Sequence, residues 1–340
     1  MAFFVGDPSA PTRFGTDVAD TTDATGLFLK MFGGEVFAAF TEATHTMTRH
    51  YVRQIKSGKS AQFPKTWKVD AHYHVAGQEM LGQDTDETER VISIDGLLVS
   101  HIGIYDLDEA MSHFDVRARY TEELGDAIAR VFDENVYRTV IKTARDDSTL
   151  GGGSQTTSPF PAGRVILSAD VSGTITATAG AQWWEVMRKA RVLAGQNNIK
   201  AREKIWMAVP EDTFDAVLYS TQNDGATNNF LFANRENQFT QGGIEGLEVV
   251  RLRSVHMFPT NLLPQSNDSA NSAVKAKYRA DFSTTLGCAW INDGVGTTKL
   301  IGMGLEKTRD VRRQEDFIVA KIAVGHGSVR NEGTWEVRNT

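Results

Sequence analysis

A few short stretches carry residue types that could do chemistry. Gly58-Lys59-Ser60 ends like a phosphate-binding loop, in which backbone N–H groups cradle phosphates ahead of a lysine and a hydroxyl. Such a loop needs a glycine five positions earlier, where this chain has Arg53, and a helix N-terminus directly behind it, which Pro64 forbids. The stretch reads as a basic turn. His72 and His74 would share one face of a strand and could give a metal two ligands, but no third ligand stands at a recognisable spacing, so they read as solvated loop histidines. Asp106, Asp108 and Glu109 precede a helix, where acids suit the positive end of the dipole. Ser100-His101 and Gly325-His326-Gly327 lack the G-x-S-x-G context of an activated nucleophile. Trp183-Trp184 reads as core or interface rather than a base-stacking platform. No catalytic residue, metal site or cofactor is expected.

Composition narrows the class further. The 340 residues, 41% of them hydrophobic, can bury one large elongated core or two smaller ones. A net charge of −7 argues against a dedicated duplex-binding protein, which needs a clustered positive excess to displace counterions. Cys288 is the single cysteine, so neither an intrachain disulfide nor a cysteine-based zinc cage can form, as suits a reducing cytoplasm. The start lacks the basic flank and apolar run of a secretory signal, and no stretch is long and apolar enough to span a bilayer.

The elements that must position these residues divide the chain unevenly. Residues 1–26 are rich in Asp, Thr, Pro, Gly and Ala and read as a flexible arm, followed by a short amphipathic helix marked by Val36, Phe37 and Phe40. From Arg49 to Lys68 there are six bases (Arg49, Arg53, Lys56, Lys59, Lys65, Lys68) and no acid. From Glu79 to Asp95 the balance inverts, with Glu79, Asp84, Asp86, Glu87, Glu89 and Asp95 against Arg90 alone. Ile92, Ile94, Leu98, Ile102 and Ile104 then alternate with Ser93, Asp95 and His101, as in a half-buried strand. Two extended arms of about 20 residues each would reach on the order of 60 Å, from a body whose radius of gyration is about 20 Å. Such a hairpin leaves its own globule and needs another surface to lie on.

Ser112 and Asp115 are spaced as a capping box, and Val116, Tyr120, Leu124, Ile128, Phe132, Val136, Val140 and Ala144 recur at i+4, predicting one long helix over 113–145. Asp146–Gly163, with three consecutive glycines, is the clearest internal break. Beyond it the patterns predict strands at Val165–Leu167 and Gly173–Thr178, a helix around Trp183–Val192, a strand at Ile205–Val209 with a helix after Pro210, strands in LEVVRL and LGCAWI, and a final strand at Phe317–Val324. Lys307, Arg309, Arg312 and Arg313 are interleaved with Glu306, Asp310, Glu315 and Asp316, which suits ion pairs between subunits better than a phosphate track. The class is α+β, without βαβ regularity or tandem repeats.

Four ordered blocks carry a resemblance: LFLKMFGGEVFAAF, SGKSAQFP, VISIDGLLVSHIGIYDLDEAMSHFDVRARYTEELGDAIA and FIVAKIAVGHGSVR. In order and spacing they closely resemble the major capsid proteins of T-seven-like, short-tailed bacteriophages, the autographivirus group of podoviruses. The likeness is close over Leu27–Ala129 and Glu306–Arg330 and architectural between them. It implies the Hong Kong 97-type capsid fold, with an N-arm at 1–43, a P-domain strand at 44–55 and an E-loop at 56–103. The spine helix would lie at 113–145 within a P-domain stretch 104–179, the A-domain at 180–305, and a P-domain strand and tail at 306–340. The function implied is self-assembly into pentamers and hexamers of an icosahedral head enclosing double-stranded DNA without sequence specificity. A scaffolding protein, a portal and a decoration protein are the partners implied, with assembly in the host bacterial cytoplasm and residence in the virion. The charged arms, Arg49 to Lys68 and Glu79 to Glu89, together with the Lys307–Arg313 cluster, are the expected assembly surfaces. An encapsulin-like nanocompartment shell is the alternative within the fold, and a nucleotide-binding enzyme using Gly58-Lys59-Ser60 the alternative of another class.

Overall fold

A computed structural model describes residues 44–66, 71, 73–77, 79, 87–105, 116–146, 164–171, 173–219 and 250–339. Strands β1 (Tyr51–Gln54), β2 (Ser60–Thr66), β3 (Glu87–Ser93) and β4 (Leu97–Tyr105) precede the long helix α1 (Val116–Ala144). After it come β5 (Arg164–Ile166), α2 (Gly180–Gln196), β6 (Ile205–Val209), α3 (Glu211–Tyr219), β7 (Val250–Leu252) and β8 (Val255–Pro259). The chain closes with β9 (Thr285–Ile291), β10 (Val295–Asp310), β11 (Glu315–Ser328) and β12 (Thr334–Arg338). Two compact units result, one from Met1–Met47, Ile94–Asp133 and Lys299–Val324, the other from Thr48–Ser93, Glu134–Thr298 and Gly325–Thr340.

In the first unit β4 pairs antiparallel with β11, from Tyr105 opposite Glu315 to Leu97 opposite Ala323. The register puts the alternating apolar residues of β4 on one face, so Ile104 is buried while His101 is exposed and lies against Phe317. Thr44–His50, expected to begin a strand, instead runs as bends and turns. The reason is local: the backbone N–H groups of His45 and Thr46 and the Thr46 hydroxyl all donate to the Asp133 carboxylate, at 2.8, 3.2 and 2.5 Å. Burial nevertheless holds the Asp133 pKa above its ordinary value.

The second unit is built on a six-stranded mixed sheet in the order β5-β12-β9-β6-β8-β7. Trp183, Val186, Met187, Ala190 and Leu193 recur along α2 at helical spacing and form one core with Phe214 and Val217 of α3, Met207 of β6 and Trp335 of β12. Pro210 stands just before α3, and Glu211 and Asp212 fill its first turn. Gly173–Thr178 is not a strand; its polar groups go elsewhere, Ile175 N–H to the Ser168 hydroxyl at 3.1 Å and the Thr176 carbonyl to Trp183 Nε1 at 2.9 Å. Nor is β11 the final strand, because the tail returns as β12, antiparallel to β9 and parallel to β5.

Helix α1 begins and ends within the expected span; the capping box at Ser112 and Asp115 lies outside the described residues. From Leu124 to Ala144 its i+4 stripe is the buried one, with Tyr120 half-buried, and Ala129, Tyr137 and Ile141 widen it by one position. Thr139 and Thr143 satisfy their hydroxyls on the carbonyls one turn back, both at 2.7 Å, so neither burdens the core. Just past the helix, Arg145 grips the fully buried Glu336 with two parallel bonds, Nε to Oε2 at 2.7 Å and Nη2 to Oε1 at 2.6 Å, and Thr285 adds a third donor at 2.7 Å. Arg145→Met strands that carboxylate and is expected to lower unfolding free energy by ~3–5 kcal/mol, whereas Arg145→Met/Glu336→Leu recovers most of the loss. Urea unfolding checks both; a double variant as weak as the single one would show that the pair is not what the site depends on.

Candidate functional site: the root of the charged hairpin

The sequence segregates bases from acids between Arg49 and Glu89, and the structure shows where that segment is held. After a bend at Gly58, whose φ of 109° suits a residue without a Cβ, β2 runs outward and β3 returns antiparallel to it. Ser60 lies opposite Ser93 and Thr66 opposite Glu87. Gly58-Lys59-Ser60 therefore opens a strand, and Lys59 is exposed. With no helix behind it, this turn has no anion-binding dipole.

Among the described residues of the hairpin, the buried ones lie at its root. Ala61, Phe63 and Ile92 are buried together, with Ile55 and Val329 packed against them. Two glycines make room for this plug. A Cβ on Gly296 would lie 2.7 Å from Val329 Cγ2, 3.1 Å from Ile92 Cδ1 and 3.3 Å from Phe63 Cε1. One on Gly327 would lie 2.9 Å from Ile92 Cγ1. The 2.7 and 2.9 Å separations are shorter than carbon atoms tolerate without a shift, so β10 and β11 are bare at these two points where the hairpin sits down. Thr298 Oγ1 also reaches the Ile92 carbonyl at 3.4 Å, and Tyr51 meets Phe63 edge-on with centroids 5.6 Å apart.

Beneath the seat is a buried polar chain whose members lie too far apart in the sequence to be connected by any motif. His50 Nε2 and His326 Nδ1 each lie 2.7 Å from the Thr297 hydroxyl. A hydroxyl has one proton, so Thr297 donates to one ring and accepts from the other, which fits two neutral imidazoles. The Tyr278 hydroxyl accepts the His326 backbone N–H at 3.1 Å. Burial, then the charges of His50 and Lys277, push the His326 pKa well below its ordinary 6.5.

The expected assembly residues fall into three groups. Arg53, Lys56, Lys59, Glu79 and Glu89 are exposed. Arg53 leans over the Phe63 ring and donates to the Gln62 carbonyl, while Glu89 accepts from Gln62 Nε2 at 3.2 Å. Lys65 and Glu87 lie on the ladder, and Lys68, Asp84, Asp86 and His72 lie outside the described residues. Arg49 packs on its own chain: its guanidinium lies over Phe258 at 3.9 Å and Trp206 at 5.0 Å, and its carbonyl accepts from Trp290 Nε1 at 2.9 Å. The arm starts later than the run of bases suggests, because the pairing of β2 with β3 begins only at Ser60.

The second charged cluster finds partners within the chain. Lys307 and Arg309 reach Asp316 at 2.6 and 3.5 Å, and Arg313 reaches Glu315 at 3.5 Å and Asp310 at 3.8 Å. These partners are within the same chain because β10 and β11 fold back on each other around the turn that follows Asp310. Arg312 is exposed, its backbone N–H bonded to Asp310 Oδ1 at 2.9 Å. Among the described residues no group of three His, Cys, Asp or Glu side chains is placed to hold a metal, and no helix is long and apolar enough to cross a membrane. Cys288 is fully buried, and burial pushes its thiol pKa well above the ordinary value, which leaves it unreactive.

Two outcomes follow from this geometry. Gly296→Ala is expected to cost ~1–3 kcal/mol by overpacking and to speed amide exchange at Ala61 and Phe63; unchanged protection there would mean the seat does not hold the hairpin. For His326, the unfolded chain takes up a proton near pH 6.5 that the native site refuses. Its contribution to stability is therefore complete above about pH 6.5 and is lost as pH falls below that value toward the depressed native pKa. Chemical denaturation between about pH 6.5 and 5 should show a slope of up to about 1.4 kcal/mol per pH unit that His326→Asn largely removes.

Known proteins of the same build supply the context for this anchored hairpin. A family model described as Gp10A-like major capsid protein matches residues 62–338. The chain is 30% identical over 360 aligned residues to the major capsid protein of Escherichia phage T7, covering 99% of each. It is 32% identical to that of Enterobacteria phage T3, covering 91% of this chain and 90% of the relative. The capsid structure of cyanophage P-SCSP1u superposes with a TM-score of 0.66 at 29% identity, covering 97% of this chain and 98% of that one. Because the family match runs from the outgoing strand of the hairpin to the last strand of the six-stranded sheet, the chain belongs to the Gp10A-like major capsid protein family.

Proposed function

We propose that the chain, a structural shell protein and not an enzyme, tiles an icosahedral phage head as pentamers and hexamers. In this reading the hairpin of each copy lies across a neighbour. The observation that carries it is the lopsided core of the hairpin: Ala61, Phe63 and Ile92 fix the root, while Tyr73 and Val75 farther along the chain are exposed. A two-stranded ribbon is marginal in water, so the remainder needs a second surface. Arg53, Lys56, Lys59, Lys65, Lys68, Glu79, Asp84, Asp86, Glu87 and Glu89 are then the contacts between copies. Arg312, exposed on the turn after Asp310, is the one member of the second cluster assigned the same role.

The same reading assigns residues 1–43 to an N-arm, 56–103 to an E-loop, the 113–145 stretch to a P-domain spine and 180–305 to an axial A-domain. Residues 223–243, rich in Asn and Gly, would line the ring centres, where conformational tolerance matters most. Likeness to phage capsid proteins over nearly the whole chain favours packaged DNA over an enzyme cargo. Assembly would take place in the bacterial cytoplasm, with a scaffolding protein and a portal as partners and a decoration protein outside.

Removing residues 67–86 and closing the gap with a short glycine turn leaves both ladder strands and the seat in place. The shortened protein is expected to keep its circular dichroism spectrum and thermal midpoint but to form no shells by sedimentation or electron microscopy. Intact heat-resistant shells would sink the role of the hairpin, and outright unfolding would make the segment core. Assembly of the whole protein should also weaken as salt rises from about 0.1 to 1 M, where the Debye length shrinks from ~10 to ~3 Å.

A further inference from the structure

A cavity of about 410 Å³ opens beside the hairpin root. Its walls come from β3, the last turns of α1, the short helical turn Ala276–Tyr278 and the end of β11. The charge facing it is unbalanced, with Arg90, Lys142 and Lys277 against Asp146. Asp146 accepts from Asn331 Nδ2 at 3.2 Å, which draws part of its charge away from the opening. Arg90 Nε is buried without a hydrogen-bond partner among the described residues. Lys142 Nζ donates to the Lys277 carbonyl at 2.5 Å, so two ammonium-bearing side chains share one wall. Burial, and then the charge of Lys277, hold the Lys142 pKa below its ordinary value, so the isolated subunit keeps that cation at a cost. An incoming anion would satisfy Arg90 and relieve the lysine pair together.

We propose that this cavity receives a carboxylate from the acidic hairpin tip of a second copy of the chain, the segment around Asp84 and Asp86. This rests on the reading that the hairpin lies on a neighbour, and it names where the tip is received. Between Glu79 and Asp95 the chain holds six acids and a single base, Arg90, which itself faces the cavity. On its own copy, β3 lines the cavity from Ser93 to Arg90 and runs on outward to Glu87, each residue advancing ~3.3 Å. The site suits a side-chain carboxylate better than nucleic acid. Duplex DNA presents a charge every ~1.7 Å and is held by broad basic surfaces, whereas here three cations and an acid enclose room for one or two side chains.

The test is a charge exchange in the full chain. Arg90→Glu alone, and Asp84→Lys/Asp86→Lys alone, should each raise the protein concentration for half-maximal shell assembly at least about tenfold. Unassembled subunits should keep a wild-type thermal midpoint. The combined variant should return to within about threefold of wild type. A combination no better than the weaker single variant, both being folded, overturns the pairing. So does an Arg90→Glu protein that assembles normally but loses retained DNA, since the cavity would then serve phosphate. If Arg90→Glu does not fold, Arg90→Gln with Asp84→Asn/Asp86→Asn replaces it: combined losses no greater than the larger single loss support the pairing, and additive losses overturn it. Shells that survive removal of 67–86 would refute the hairpin reading itself, whereas blocked assembly with a failed charge exchange refutes only this receiving site.

Discussion

Two missing side chains hold the charged hairpin in place. Gly296 and Gly327 leave β10 and β11 bare where Ile92 and Phe63 press against them, and a single added carbon at either point would stand within 3 Å of a neighbour. Close-packed interiors do not absorb such an overlap without moving something. The plug is small, three buried residues, so it cannot stabilise a long ribbon by itself. It can only fix the direction in which the ribbon leaves. In the proposed reading, the length outward of the ladder then rests on whatever surface that direction meets.

The body under the root is stiffened by buried polar groups rather than by apolar packing alone. The His50–Thr297–His326 chain connects the segment before β1 to β10 and β11, and Arg145 with Glu336 secures the end of α1 to the six-stranded sheet. Arg138 adds a second buried pair, reaching Asp268 with Nε at 3.2 Å and Nη2 at 3.0 Å. Such groups contribute little net stability over apolar replacements, but each is costly to leave half-made. A shell protein whose surface contacts are individually weak gains from a base with few alternative packings.

Much of this was legible in the sequence, for identifiable reasons. Helix α1 announces itself because its apolar residues recur every four positions, and the hairpin because bases and acids are segregated along the chain. What stayed hidden depends on partners far away in the chain. Arg49 looked like one more base on an outgoing arm, since nothing local reveals that Trp206 and Phe258 will stack on it. Strand β12 was missed because Glu336 reads as a surface acid until Arg145, 191 positions earlier, is brought against it. Lys307 and Arg309 were correctly seen to want acids, but the turn between β10 and β11 supplies Asp316 in the same chain. In Gly325-His326-Gly327 no local pattern shows that the histidine is hydrogen-bonded to Thr297 and that the second glycine is half of the seat.

The central claim is that the root of the hairpin belongs to its own subunit and its outer length to a neighbour. A high-resolution electron-microscopy reconstruction of assembled shells measures this directly, by tracing residues 67–86 and asking which copy they touch. The account predicts that Phe63 and Ile92 remain against Gly296 and Gly327 of their own chain at every ring position, while 67–86 rest on another copy. A tip folded onto its own subunit, or a root that leaves the glycine seat when shells form, would contradict it.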